Sequence, residues 1–241
     1  MATAERVSPA VDLAAVNGRL SRVSAEERIA WAVAEFRGAL VLSSSFGAQA
    51  AVMLSLATRV APGLPVVLID TSYLFPETYR FVDELTTRLK LNLKVYRPLE
   101  SPAWAEARQG RVWEKGLAGL AAYNRIAKVE PMQRALQELG ARAWLAGLRR
   151  SQASTREELP VVGWQDGRVK VLPIVDWTDR DVHRYLQAEK LPYHPLWEQG
   201  YVSIGDVHTS RPLTAELTAE QTRFFGLKRE CGIHEESAPG P

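Results

Sequence analysis

Hydrophobic residues follow two alternating patterns through most of the chain. Ala39-Leu-Val-Leu42, Val66-Val-Leu-Ile69, Leu93-Lys-Val-Tyr96 and Ala143-Trp-Leu-Ala146 are short runs dominated by apolar residues. Runs of that length fit strands buried on both faces. The segments between them carry apolar residues at helical spacing. Ser24-Ala-Glu-Glu27 is a capping box, and the helix it opens puts Ile29, Val33 and Phe36 on one face before Gly38 ends it. A helix is predicted after residues 43–49, through about Thr58. Pro76 suits the first turn of the next one, where Val82, Leu85 and Leu89 form the apolar stripe while Arg80, Glu84 and Arg88 face water.

Residues 101–139 read as mostly helical, and 178–188 as a helix. Residues 161–164 and 169–172 are predicted to pair around the turn at Asp166-Gly167. From Leu191 onward the chain is rich in Pro, Gly and Tyr and loses its periodicity. A long irregular stretch in a compact protein is usually functional or mobile. Strands alternating with amphipathic helices predict an α/β fold with a doubly wound, mostly parallel sheet. Residues 1–22 are Ala- and Ser-rich and are expected to be poorly ordered at their start. The domain is placed at 23–215 and a mobile tail at 216–241.

Composition narrows the classes. A chain of 241 residues with 46% hydrophobic content suits one α/β domain. With 30 basic and 28 acidic residues the net charge is +2, so there is no polyanion-binding signature and no nucleic-acid partner is expected. No apolar run reaches membrane-spanning length, and the start lacks a basic region followed by an apolar one. Neither a membrane span nor a signal peptide is expected. The one cysteine, Cys231, can form no intramolecular disulfide and cannot hold an iron–sulfur cluster alone, which points to the cytoplasm. Redox chemistry at Cys231 therefore needs its second thiol from elsewhere.

Cys231 follows Lys228 and Arg229 and precedes His234 by three residues. Nearby cations favour the thiolate, which is the attacking form, and Gly232 lets the backbone bend beside the sulfur. His234 is a candidate acid, or a positive charge beside the thiol. The bland alternative is a frayed tail that happens to carry a cysteine.

A nucleotide site would give that tail something to close over. Ser43-Ser44-Ser45-Phe46-Gly47-Ala48-Gln49 leaves a strand and opens a helix, where free N–H groups and hydroxyls favour an anion. It is not a Walker A loop, because Gly-Lys-Ser/Thr is absent, and a Ser-rich helix cap is the alternative. Asp70 and Thr71 close the second strand, where ligands of doubly wound sheets sit; a simple strand-end cap is equally compatible. Arg149, Arg150 and Arg156 follow another strand, and Lys128 and Arg211 are further candidates to converge there on phosphate or sulfate. Any one of them alone reads as solvated surface. His183, His194, His208 and His234 show no metal-ligand spacing, and no metal is expected. His183 is placed on a helix surface and His194 in a structural turn.

Taken together, residues 43–49, 70–78, Lys128-Val-Glu-Pro131, 147–156, 171–177, 193–211 and 224–234 resemble the phosphoadenosine phosphosulfate (PAPS) reductases. The most specific segments are Leu68-Ile-Asp-Thr-Ser-Tyr-Leu-Phe-Pro-Glu-Thr78 and Glu230-Cys-Gly-Ile-His234. The resemblance implies an adenine-nucleotide α-hydrolase-like (PP-loop) fold. It also implies reduction of PAPS to sulfite and adenosine 3′,5′-bisphosphate in assimilatory sulfate reduction and cysteine biosynthesis, thioredoxin or glutaredoxin as reductant, and a homodimer.

The family nucleophile falls on Cys231. Nucleotide contacts fall on Ser43, Ser44, Ser45, Phe46, Gly47, Gln49, Asp70 and Thr71, and basic contacts on Lys128, Arg149, Arg150, Arg156, Arg211 and Arg229. A related branch, the adenosine phosphosulfate (APS) reductases, carries a four-iron cluster whose cysteines would fall at Tyr123, Asn124, Asp206 and Thr209. None of these is cysteine, so no cofactor is expected. The alternatives are a cluster-free APS reductase, an ATP-splitting relative on the same fold (an adenylyltransferase or an ATP pyrophosphatase), and a non-catalytic nucleotide-binding or redox-sensing module.

Overall fold

The computed structural model describes residues 12–228 and 230–234. Six strands form one sheet: β1 (Leu40–Ser43), β2 (Pro65–Ile69), β3 (Asn92–Tyr96), β4 (Ala143–Ala146), β5 (Val162–Gln165) and β6 (Arg168–Val171). Their order is β3-β2-β1-β4-β6-β5, parallel throughout except for β5 against β6. This is the doubly wound, mostly parallel sheet that the alternating pattern predicts.

The helices are α1 (Leu13–Leu20), α2 (Ala25–Glu35), α3 (Ala51–Val60), α4 (Pro76–Leu89), α5 (Pro102–Gln109), α6 (Gly116–Asn124), α7 (Glu130–Glu138) and α8 (Asp179–Ala188). The capping box of α2 forms as predicted, although the helix ends at Glu35, three residues before Gly38, which takes φ 70°. Asp166 and Gly167 both take positive φ, 50° and 73°, and turn β5 into β6 as a tight hairpin.

Helix α1 lies within the segment 1–22; the start of that segment, residues 1–11, where poor order is expected, lies outside those described. Asp12 caps α1 by accepting from the N–H groups of Ala14 and Ala15, each at 3.1 Å. Asn17 then exchanges two hydrogen bonds with the backbone of Val162, at 2.8 and 2.9 Å. The helix thereby covers part of the free edge of β5.

Sheet order fixes where a ligand can sit. From β1 the chain steps outward through β2 to β3, then returns to place β4 on the other flank of β1. The two directions separate between the carboxyl ends of β1 and β4, where Ser43 lies opposite Ala146, and doubly wound sheets bind ligands at such a point. Beneath it, Leu42, Leu54, Leu56 and Leu145 are fully buried, so the floor of the crevice is rigid core. Among the described residues no helix is long and apolar enough to cross a membrane.

Candidate active site

A cleft of about 420 Å³ opens at this switch point. The loop after β1 contributes Ser43, Ser44, Ser45, Gly47 and Gln49 to its wall. Phe46 does not reach the cleft. Its ring is fully buried in the core, and its φ of 49° turns the loop outward, so it anchors the loop instead of contacting a ligand. Ser44 steadies the same turn by accepting from the Phe46 N–H at 3.1 Å.

From the end of β2, Thr71 lines the cleft and Asp70 does not. Asp70 accepts from the Ser72 N–H (2.8 Å), the Tyr79 hydroxyl (2.7 Å) and Arg97 Nε (2.7 Å). It acts as the strand-end cap of the blander reading, and it does not face the cleft where the nucleotide-contact expectation puts it. Burial, together with this bond, pushes the Tyr79 hydroxyl far above its usual range.

Lys128 reaches the cleft from a π-helical turn, Arg125–Val129, between α6 and α7. Its Nζ lies 2.6 Å from Asp206 Oδ2, with both side chains almost fully buried. Asp206 also accepts from Thr71 Oγ1 at 2.5 Å and from the Tyr123 hydroxyl at 3.0 Å. Burial would raise the Asp206 carboxyl, but Lys128 and Thr71 outweigh it and hold the group below its ordinary value. Tyr123, Asn124, Asp206 and Thr209, the positions the cluster-bearing branch would fill with cysteine, are all buried. Tyr123 and Asp206 are bonded to each other across them.

Arg149 and Arg156 follow β4 and line the cleft. The Arg149 guanidinium is buried; its Nη2 donates to Gln49 Oε1 (2.6 Å) and to Asp179 Oδ1 at the start of α8 (2.9 Å), which ties the serine loop to that helix. Arg156 forms a two-pronged pair with Glu230, at 2.7 Å on each prong, with both side chains 12% exposed. Arg150 and Arg211 do not line the cleft, contrary to the sequence expectation. Arg150 donates to the Leu159 carbonyl and Arg211 to that of Gln221, so each braces a local turn. Arg229 lies outside the described residues.

The tail lies closed over the cleft. Cys231 is partly exposed, lines the opening, and packs against a cluster that includes Trp113, Tyr123 and Phe224. His234 stacks on Trp144, with ring centroids 5.5 Å apart and an 11° interplanar angle. Burial, reinforced by Lys170 and Arg156, holds its pKa well below the ordinary value. That environment disfavours the positive charge which the sequence reading places beside the thiol.

Several residues of the site escaped the sequence reading. Arg223 lines the cleft and is nearly buried, its guanidinium 4.9 Å from the Phe224 ring. Gly205 makes room for it, since a Cβ there would come 2.3 Å from Arg223 Nη2. Lys170, on β6, lies under the tail; burial above all, then Arg156, pushes its pKa down to about 7. Asp206 and Glu230 are the carboxylates that pair with the cleft cations Lys128 and Arg156. Glu230 and Arg223 sit in the same tail window as Cys231, which was the available signal. Asp206 stood out only as a position the cluster-bearing branch would fill with cysteine, and nothing local marked Lys170.

The match to known proteins agrees with this geometry. Residues 39–212 match the phosphoadenosine phosphosulfate reductase domain. The chain belongs to the phosphoadenosine phosphosulfate reductase family. It is similar to a protein of Alkalilimnicola ehrlichii named phosphoadenosine 5′-phosphosulfate reductase, 63% identical over 93% of this chain and 91% of that one. The crystal structure of a Candida auris phosphoadenylyl-sulfate reductase in a phosphate complex superposes with a TM-score of 0.72, at 32% identity over 83% of this chain and 96% of that one. The FMN adenylyltransferase of Candida glabrata shares the fold alone: TM-score 0.59 at 16% identity, over 97% of this chain and 79% of that one. Both structural neighbours place the family's sheet in a PP-loop-like fold.

Proposed function

We propose that the chain reduces PAPS to sulfite and adenosine 3′,5′-bisphosphate, with Cys231 as nucleophile. One observation carries the reading: the chain's sole cysteine is held at the mouth of a cleft lined by the serine loop, Lys128, Arg149, Arg156 and Arg223. Ser43, Ser44, Ser45, Gly47, Gln49 and Thr71 hold the nucleotide, and the basic side chains hold its phosphates and sulfate. The Cys231 thiolate attacks the sulfate sulfur in line with the departing phosphate oxygen. The S–O bond breaks as the S–S bond forms, and the bisphosphate leaves with the electron pair. Cations neutralise the charge that develops on that oxygen. The product is an S-sulfonated Cys231.

A thiolate of thioredoxin or glutaredoxin then attacks the Cys231 sulfur and expels sulfite, leaving a mixed disulfide. The reductant's second thiol resolves that disulfide and returns Cys231 as a thiol. The two electrons come from the reductant, so no iron–sulfur cluster or other cofactor takes part. The docked tail has to open, because a sulfonated Cys231 packed against Trp113 and Tyr123 is beyond another protein's reach. We place the enzyme in assimilatory sulfate reduction, in the cytoplasm and as a homodimer.

The test is intact-protein mass spectrometry of reduced enzyme mixed with PAPS, or separately with APS, without thioredoxin. A sulfonate adduct from PAPS that is absent in Cys231→Ser is expected. The variant should lose turnover while its affinity for adenosine 3′,5′-bisphosphate stays within about threefold, because the thiol acts on sulfur and not on the nucleotide. An adduct from APS alone would overturn the substrate, and no adduct from either would overturn the chemistry.

A further inference from the structure

The tail is held by the far edge of the sheet as well as by the cleft. Gln165, at the end of β5, is buried, and its Nε2 donates to the Ile233 carbonyl at 2.7 Å. Its Oε1 accepts from Lys170 Nζ at 2.8 Å. Lys170 is also buried, with Nζ 4.8 Å from the centre of the Trp144 ring, the ring on which His234 stacks. Neither Gln165 nor Lys170 lines the cleft.

The direction of this chain of bonds follows from donor chemistry. The Ile233 carbonyl can only accept, so the amide NH₂ of Gln165 faces the tail and its oxygen faces Lys170. Lys170 Nζ donates to that oxygen and so reinforces the one amide orientation that can bind Ile233. A lysine buried at the rim of a hydrophobic sheet costs several kcal/mol of desolvation unless compensated, and an apolar residue would serve the hairpin better. Its position is explained by what it orients.

The geometry points to Gln165 and Lys170 as positioning residues for Cys231, acting through the backbone of Ile233. Cys231 precedes Ile233 by two residues, and the Arg156–Glu230 pair fixes the other side of the cysteine. The sulfur is therefore clamped between a contact inside the cleft and a contact outside it. This inference rests on the reading of Cys231 as nucleophile, and it adds that the hairpin sets the thiol's aim without touching substrate.

Two variants test it. Gln165→Met keeps the volume and removes both bonds. Gln165→Glu keeps a partner for Lys170, and so the hairpin's internal contact, but turns a carboxylate toward the Ile233 carbonyl. Both are compared with the unaltered protein by the rate of Cys231 alkylation with iodoacetamide, without substrate, and by turnover of PAPS with thioredoxin. Alkylation should accelerate at least about threefold as the tail loosens. The kcat should fall about tenfold with KM within about twofold, because the aim of the thiol is lost and the nucleotide contacts are not.

Unchanged alkylation in Gln165→Glu overturns the inference, as does faster alkylation with unchanged kcat. A parallel loss in kcat and KM at unchanged alkylation marks a structural role and also overturns it. Should Gln165→Met fail to fold, Gln165→Glu alone decides. Alkylation reads tail docking whether or not Cys231 is the nucleophile, so failure of the clamp and failure of the chemistry give different results.

Discussion

Lys128 and Asp206 lie 2.6 Å apart with almost no solvent around either, and removing one partner costs more than removing both. Asp206→Asn leaves a buried ammonium without its counter-ion. It should lower unfolding free energy by about 3–5 kcal/mol, read from urea titrations at pH 7.5. Replacing both, as Lys128→Met with Asp206→Asn, should recover most of that loss, because no charge is left unpaired and the amide oxygen still accepts from Thr71 and Tyr123. The same double variant should still bind PAPS poorly, since a cleft cation is gone; affinity equal to the unaltered protein would remove Lys128 from the binding role. This pair also shows what single residues disclosed in advance. Lys128 was recognisable as a candidate, whereas its partner stands far along the chain and Asp70, the more conspicuous acid, turned out to cap a strand end. Which of two acids enters a cleft depends on tertiary packing, and no local pattern encodes it.

The elements were legible where a backbone rule applied. The Asp-Gly hairpin, the Ser24 capping box and Pro76 at a helix start each rest on local chemistry, and each formed where expected. The helical run over residues 101–139 was harder, because periodicity cannot show where a helix breaks. It divides into α5, a short turn at Val112–Glu114, α6, the π-helical turn and α7. The π-helical turn closes i→i+5 bonds and so rotates α7 relative to α6 by about one residue, or ~100°. Lys128 lies within this turn and faces the cleft. Gly119 holds α6 against the Val112–Glu114 turn: a Cβ would lie 2.0 Å from the Val112 carbonyl oxygen and 2.9 Å from Lys115 Cβ. Gly119→Ala must therefore push α6 away from Trp113, against whose cluster Cys231 packs. The variant should lose about 1–3 kcal/mol of stability in a thermal melt, despite alanine's higher helix propensity. A melt equal to or above that of the unaltered protein would show that the turn yields freely.

At the scale of the molecule the doubly wound sheet was legible and its strand order was not, because alternation of strand and helix does not say on which side of β1 the fourth strand docks. The switch point, and with it the cleft, follows from that choice. A whole-molecule property follows in turn from how tightly the chain closes around its histidines. His194 is fully buried: its Nδ1 accepts from the Leu196 N–H at 3.1 Å, and its Nε2 lies 2.9 Å from Thr78 Oγ1. Burial pushes its pKa down from 6.5 to about 4. His208 is pushed down to about 4 in the same way, chiefly by burial, while stacked on Trp113 at 4.0 Å. His234 shifts in the same direction. A histidine with a depressed folded pKa binds fewer protons folded than unfolded, so stability rises with pH across that window. The stabilisation is complete above the unfolded value of 6.5 and is lost as pH falls toward 4. For His194 alone the loss at pH 5 is about 2 kcal/mol, and His208 and His234 add to it. Urea unfolding at pH 7.5 and pH 5.0 should therefore show a midpoint that drops clearly at the lower pH. Equal midpoints would mean that the histidines are solvated in solution, His234 included, and that the tail is not docked on Trp144.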